Sequence, residues 1–391
     1  MTLAIDAIAL TRALIQCPSV TPEDRGAMDV VQAALTSLGF TCHRLPFQSP
    51  GRPVTENLYA RIGTGAPHLC FAGHTDVVPA GPIEAWRSDP FVATEHEGDL
   101  VGRGAVDMKG AIAAFIAAVS QHLHTHGGKP SGSISLLITG DEEGPAVDGT
   151  IKVLEWMQAR GEVPTFCLVG EPTSESVLGD MIKIGRRGSL TGRLTVRGVE
   201  GHVAYPHRAQ NPIPGLVSIL QRLTAHRFGD ANAQFDATNL EVVTVDVGNR
   251  ATNVIPAEAR ATFNIRFNPT QTGDGLSQWL RAEVARGMDG HAGQAELTLN
   301  VGGEPFLTEP SALSHIVADA IQQVTGRTPV FSTTGGTSDA RYISKVCPVA
   351  EFGLVGLTMH KTDERVSLAD LAQLQAVYAG VLARVFGAAK R

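Results

Sequence analysis

The sequence predicts an α/β protein in which a larger domain is interrupted by a smaller, inserted α+β domain. Three observations carry this. Between Thr41 and Val169 short apolar runs that read as strands alternate with helical patterns, as in a doubly wound sheet. Residues 188–301 follow a different order, βαββαβ, which is that of a ferredoxin-like domain. Beyond 301 patterns of the first kind return, so the chain divides into 1–187, an insertion at 188–301, and 302–391.

Taken in order, Leu3, Ala7, Leu10 and Leu14 recur at helical spacing until Cys17-Pro18 ends the pattern. Thr21-Pro22-Glu23 reads as a cap with proline in the first turn, predicting a helix to Leu38 that Gly39 stops. Strands follow at 41–45 and 57–62. The apolar run that begins at Leu69 then delivers His74 and Asp76 just past a strand end. Asp107 follows a short apolar segment, and the alanine-rich stretch 110–121 reads as a helix packed on the sheet. His122, His124 and His126 alternate at its end. On a helix this spacing points the rings apart, so an imidazolium-rich terminus suited to the helix dipole is expected rather than a metal site. Ser133–Gly140 is a strand running into Asp141, Glu142 and Glu143, and Thr165–Val169 one running into Glu171. In the insertion, strands are expected at 190–199, 240–247, 259–267 and 295–301, with helices at 212–226 and 275–286. The last part gives a helix at 311–324, short strands at 329–331 and 349–352, and a closing helix at 368–386.

Bulk properties narrow the function. The 391 residues are 43% hydrophobic and 18% charged, as in a globular protein, and the net charge of -7 argues against nucleic acid or an anionic membrane as partner. The five cysteines are scattered, with no Cys-x-x-Cys pair, which suits buried thiols in a reducing compartment. No basic leader precedes an apolar core, and no apolar run approaches the ~20 residues of a membrane helix. A cytoplasmic protein acting on a small molecule is expected.

In an open α/β sheet, ligands bind beyond the carboxyl ends of the strands. Asp76, Asp107, Glu142, Glu143 and Glu171 would converge there, and five carboxylates in one cleft repel unless cations or protons relieve them. Carboxylate with imidazole suits zinc or a similar ion, and paired ions ~3.5–4 Å apart can share a bridging ligand. Asp107 is the candidate bridge, His74 and Glu171 complete one site, and Glu143 with His360 the other. Asp76 is expected to fix the His74 tautomer. Glu142, left over beside the metals, has the place of a general base.

The residues also carry a resemblance. Gly73-His-Thr-Asp-Val-Val-Pro79, Gly102-Arg-Gly-Ala-Val-Asp-Met-Lys-Gly110, Gly140-Asp-Glu-Glu-Gly144 and Gly170-Glu-Pro172 resemble the aminoacylase and acetylornithine deacetylase superfamily of dizinc hydrolases. Gly185-Arg-Arg-Gly188, Gly201-His-Val-Ala-Tyr-Pro206, Asn253-Val-Ile-Pro256, Gly335-Gly-Thr-Ser-Asp339 and Met359-His-Lys361 resemble most its desuccinylase branch. The resemblance spans essentially the whole chain. It implies a mixed-sheet, zinc-peptidase-like catalytic domain and a homodimer formed through the inserted ferredoxin-like domain. It implies two Zn2+ per subunit, with Co2+ able to substitute, held by His74, Asp107, Glu143, Glu171 and His360.

The implied reaction is hydrolysis of N-succinyl-L,L-2,6-diaminopimelate to succinate and L,L-2,6-diaminopimelate, a step of lysine and diaminopimelate biosynthesis. Asp76 and Glu142 would serve catalysis, and His202 would reach the partner subunit's site to stabilise the oxyanion. Arg186, Arg187, Ser189, Tyr205, Asn253, Arg266 and Thr337 match positions that line the substrate pocket. Four residues before His360, where some relatives carry an asparagine that touches substrate, this chain has Gly356, so one polar contact is missing. The alternatives are an N-acetylornithine deacetylase or related N-acyl-amino-acid hydrolase of the same superfamily, and a non-catalytic binder with structural metals.

Overall fold

The computed structural model describes residues 4–308 and 310–387. Leu3, the first position of the N-terminal helical pattern, lies outside them. The chain forms two compact units: one comprises the residues up to Ile184, Thr308–Ser332 and Ser338 onward, the other Gly185–Leu307 with Thr333–Thr337.

The first unit is built on an eight-stranded sheet. Its spatial order is Thr41–Arg44, Asn57–Gly63, Ser133–Thr139, His68–His74, Phe166–Val169, Val349–Glu351, Met181–Lys183 and Val330–Ser332. The sheet is mixed rather than fully parallel. Thr41–Arg44 and Asn57–Gly63 are joined without a helix, so they pair antiparallel, and the second pairs antiparallel with Ser133–Thr139. His68–His74, at the centre, runs parallel to both neighbours. Every residue of His68–His74 and Ser133–Thr139 is buried, which explains their continuous apolar runs. The helix Gly110–Thr125 is apolar on all sides because it is enclosed from Gly110 to Ser120. Phe115 stacks on Phe71 at 4.3 Å, and Tyr378 of the closing helix Leu368–Phe386 meets both rings edge-on.

Asp6 caps the first helix, Ala7–Ile15, by accepting from the N–H groups of Ile8 and Ala9. The second helix starts later than expected, at Ala27. Asp24 accepts from the N–H groups of Gly26 and Met28, and Gly26 adopts a φ of 89°, so 21–26 is a turn and not helix. Nor does the imidazolium terminus hold for His122. Its ring is buried against those of His126 and Phe386, and burial, with the nearby His126, pushes its pKa down to about 4. Among the described residues, no helix is long and apolar enough to cross a membrane.

The second unit holds a four-stranded antiparallel sheet in the order Asn239–Asp246, Glu258–Phe267, Gly188–Arg197, Gln294–Gly303. Helices Ile213–Ala225 and Gly273–Gly287 enclose a core of Leu194, Leu216, Ile219, Phe263 and Leu280 among others. Two glycines are required sterically. Gly188 and Gly192 face Phe267 and Phe263 in register, and a Cβ would sit 2.3 and 2.2 Å from those rings. The chain's exit from and return to the first unit are adjacent: Thr308 N–H donates to Ile184 O at 2.7 Å.

Candidate metal centre

Each acidic or imidazole group of the first unit is delivered by a local feature that the sequence builds. His74 ends the central strand. Its Nδ1 lies 2.9 Å from the Asp76 carbonyl oxygen and 3.6 Å from the Asp76 carboxylate, so the main chain rather than the side chain of Asp76 orients the ring. The Asp76 carboxylate instead accepts from the N–H groups of Glu142 and Glu143 at 3.2 and 3.0 Å. The loop that carries these two acids is further closed by Asp141, which accepts from Val147 and Asp148. Glu171 follows the strand Phe166–Val169.

Asp107 differs from the other acids. The strand before it, Asp99–Val101, belongs to a separate three-stranded sheet with Thr94–His96 and Arg365–Ser367. Asp107 therefore does not end a strand of the main sheet. It sits in a tight, buried turn, Ala105–Lys109, that leads into the helix Gly110–Thr125.

The resulting geometry centres on Asp107. Its Oδ1 is 3.2 Å from His74 Nε2, and its Oδ2 is 3.1 Å from His360 Nε2. Glu171 Oε1 lies 3.7 Å from the same His74 nitrogen, and Glu143 Oε1 lies 2.8 Å from His360 Nε2. Donor atoms converge within 4.8 Å in three sets: His74 with Asp107 and Glu171, Asp107 with Glu143 and His360, and His74 with Glu142 and Glu143. The first two share Asp107, whose oxygens face different imidazoles. A carboxylate so placed fits as the bridge of two divalent cations, and the oxygen–nitrogen donor set suits ions such as zinc.

The titration of these groups reflects their crowding. Burial, then the charge of Glu171, pushes Glu142 well above the ordinary carboxylate range. Burial likewise raises Asp76 to about 6, against the pull of His74. Burial opposes the charge on His74, but the hydrogen bond and charge of Asp107 outweigh it and hold the imidazolium well above its usual pKa. His360, hydrogen-bonded to Asp107 and Glu143, is raised to about 10. Burial would lift Asp107 as well, yet the two imidazoles bring it down. These are charges seeking partners. Cations would take the place of the protons.

The remaining candidates lie in the second unit. Arg187 and Arg266 are close enough that the Arg187 charge, after burial, lowers the Arg266 pKa. Arg187 Nη1 donates to Ala237 O and Asn239 Oδ1, while Arg187 Nε and Arg266 Nη1 are buried with no hydrogen-bond partner among the described residues. Ser189 faces Arg266 in register and accepts from Asn264. Arg186 is buried and donates to Gly336 O, next to Thr337. His202, Tyr205 and Asn253 form an exposed group: Val203 N–H donates to Asn253 O, and the His202 and Tyr205 rings are 5.7 Å apart. Two buried residues of the first unit escaped the sequence analysis, Arg103 and Glu364. Glu364 accepts from the N–H groups of Val106 and Asp107. Their signal was proximity to the Asp107 and His360 motifs, but a charged residue between two glycines (Arg103) or in a run of charges (Glu364) looks solvent-exposed.

Residues 70–384 match peptidase family M20/M25/M40. The succinyl-diaminopimelate desuccinylase of Rhodospirillum centenum is 56% identical over 388 residues, spanning 99% of each chain. That of Methylorubrum extorquens is 57% identical over 383 residues, spanning 97% of this chain and 98% of its own. The M20 family metallo-carboxypeptidase Sso-CP2 from Sulfolobus solfataricus shares the fold, with a TM-score of 0.81 over 97% of this chain and 99% of its own at 17% identity. The chain belongs to peptidase family M20/M25/M40 and, within it, groups with the succinyl-diaminopimelate desuccinylases.

Proposed function

We propose that this chain hydrolyses the succinyl amide of N-succinyl-L,L-2,6-diaminopimelate, releasing succinate and L,L-2,6-diaminopimelate for lysine and diaminopimelate biosynthesis in the cytoplasm. The observation that carries the chemistry is Asp107, shared between two donor sets with Glu142 beside them. The substrate rests on identity to the curated desuccinylases along nearly the full chain.

His74, Asp107 and Glu171 would hold one divalent cation, and Asp107, Glu143 and His360 the other. Such ions, zinc in our reading with cobalt as a substitute, polarise an amide carbonyl and acidify water. Glu142 takes the proton of the attacking water at its carboxylate and passes it to the leaving amine nitrogen. Asp76 holds the backbone of Glu142 and Glu143, so it sets where that proton goes. Arg187 and Arg266, with buried donors still unpaired, would receive the succinyl carboxylate. Arg186, Ser189, Tyr205, Asn253 and Thr337 would line the substrate, and His202 of the partner subunit would donate to the oxyanion in a homodimer.

The deciding experiment is hydrolysis of N-succinyl-L,L-diaminopimelate against N-acetylornithine by the zinc-loaded chain. Strong preference for the succinyl compound is expected. Preference for the acetyl compound would keep the metal chemistry and overturn the arginine assignment.

A further inference from the structure

We infer that Arg103 and Glu364 are a positioning pair that fixes the Asp107–His360 half of the metal centre and so sets the affinity of the second cation. This rests on the two-cation reading above. Both side chains are buried, at 2% and 1% exposure. A buried ion pair adds little stability over apolar packing of the same volume, so its presence needs another account.

The hydrogen bonds supply one. Arg103 Nη1 donates to Glu364 Oε2 at 2.6 Å. Glu364 Oε1 accepts from the N–H groups of Val106 and Asp107 at 3.1 and 3.2 Å, and Glu364 O accepts from Gly102 N–H at 2.8 Å. One residue thus grips both the approach to the turn, at Gly102, and its first half, at Val106 and Asp107. Arg103 Nη1 also reaches Lys361 O, next to His360, at 3.3 Å, and Nη2 reaches Pro79 O at 3.3 Å. The guanidinium lies over the Trp86 ring, 5.2 Å from its centroid, which further limits its movement.

The two halves of the centre differ in how much they need this clamp. His74 is enclosed at a strand end and oriented by the Asp76 carbonyl. The His360 side chain is 46% exposed and its backbone has a φ of 61°. That ring is held at its tip by Asp107 and Glu143, so its approach depends on the adjoining main chain, where Arg103 bonds Lys361 O and Gly102 bonds Glu364 O. Contacts of this kind are typically worth ~10–100-fold in metal affinity.

The test is zinc titration of the metal-stripped full chain against a chromophoric chelator, resolving a first and a second dissociation constant. Glu364→Gln and Arg103→Lys are compared with Glu162→Gln, which removes a partner of Arg61 elsewhere in the first unit. Both clamp variants should raise the second constant about tenfold or more and the first by a clearly smaller factor, since Asp107 serves both donor sets but His360 only one. The control should change neither constant. Unchanged constants in the clamp variants would overturn the inference. So would equal weakening of both constants, since that is general loosening rather than positioning. If Glu364→Gln does not fold, Arg103→Lys, which keeps the charge and loses the forked contacts, decides by the same criteria. A wild-type chain that takes up fewer than two zinc ions would instead overturn the two-cation reading, and the pair's proposed role with it.

Discussion

Asp76 and Glu142 are both acids near His74, and their hydrogen bonds separate what they can do. The Asp76 carboxylate is occupied by two backbone N–H groups, whereas Glu142 is held through its main chain among the described residues, which would leave its carboxylate for the proton transfer proposed above. Glu142→Gln should therefore cost ~10²–10⁴-fold in kcat while two zinc ions per chain remain by elemental analysis. Loss of a zinc would move Glu142 into the ligand set. Arg266→Met should act differently, raising KM about 10–100-fold with little change in kcat, because a charged hydrogen bond to substrate is lost. A KM within twofold of wild type would remove Arg266 from substrate binding. At this scale the sequence showed acids at strand ends but not which of their atoms are engaged. That the Asp76 carbonyl orients His74, and that Arg103 and Glu364 are buried, depends on tertiary contacts that spacing does not encode.

Elements were legible where one period persisted. The runs ending at His74, Glu142 and Glu171 are continuous because both faces of those strands are covered. Asp107 was misplaced because three residues of strand followed by a tight turn look like one short apolar strand. The start of the second helix was misread because Asp24 side-chain bonds replace helical ones there. The central strand also carries a pH signal. His68 is buried at its start, with Nε2 2.7 Å from Ser135 Oγ, and burial, then the Arg61 charge, lowers its pKa to about 4. Unfolded, it would titrate near ~6.5. Between these values the unfolded chain binds the proton and the folded one does not, so stability is full above ~6.5 and falls as pH drops towards 4. The whole interval is worth roughly 3 kcal/mol, and about 2 kcal/mol of it lies above pH 5. His68→Gln should lose correspondingly less of its urea midpoint between pH 7.5 and pH 5. Equal losses in both proteins would show that His68 does not contribute.

For the whole molecule, the change from strand–helix alternation to βαββαβ marked the second unit. Its edges were less visible: the unit runs from Gly185 to Leu307 and gains Thr333–Thr337, whose bonds to Arg186 and Gln234 have no periodic signature. Asn239–Asp246 lies at one edge of its sheet and leaves Val243 and Val245 60% and 57% exposed. An unprotected edge with exposed valines is a surface suited to a second copy of the chain, in keeping with the homodimer proposed above. Val243→Lys should halve the mass measured by light scattering and leave the melting temperature within a few degrees. A wild-type monomer, or a variant that stays dimeric, would exclude this edge as the interface.

The hydrogen bond from Thr308 to Ile184 has a consequence for inheritance. It brings the two cut ends of the first unit together, so that unit experiences everything between them as a single excursion. Closing an excursion costs free energy that grows only with the logarithm of its length. The segment that bears the arginines can therefore be lengthened, reshaped or exchanged over evolutionary time at little cost to the metal-bearing unit. On the function proposed above, the residues that would read the substrate can then vary apart from those that would hold the cations, with His202 the one group of the excursion tied to the chemistry.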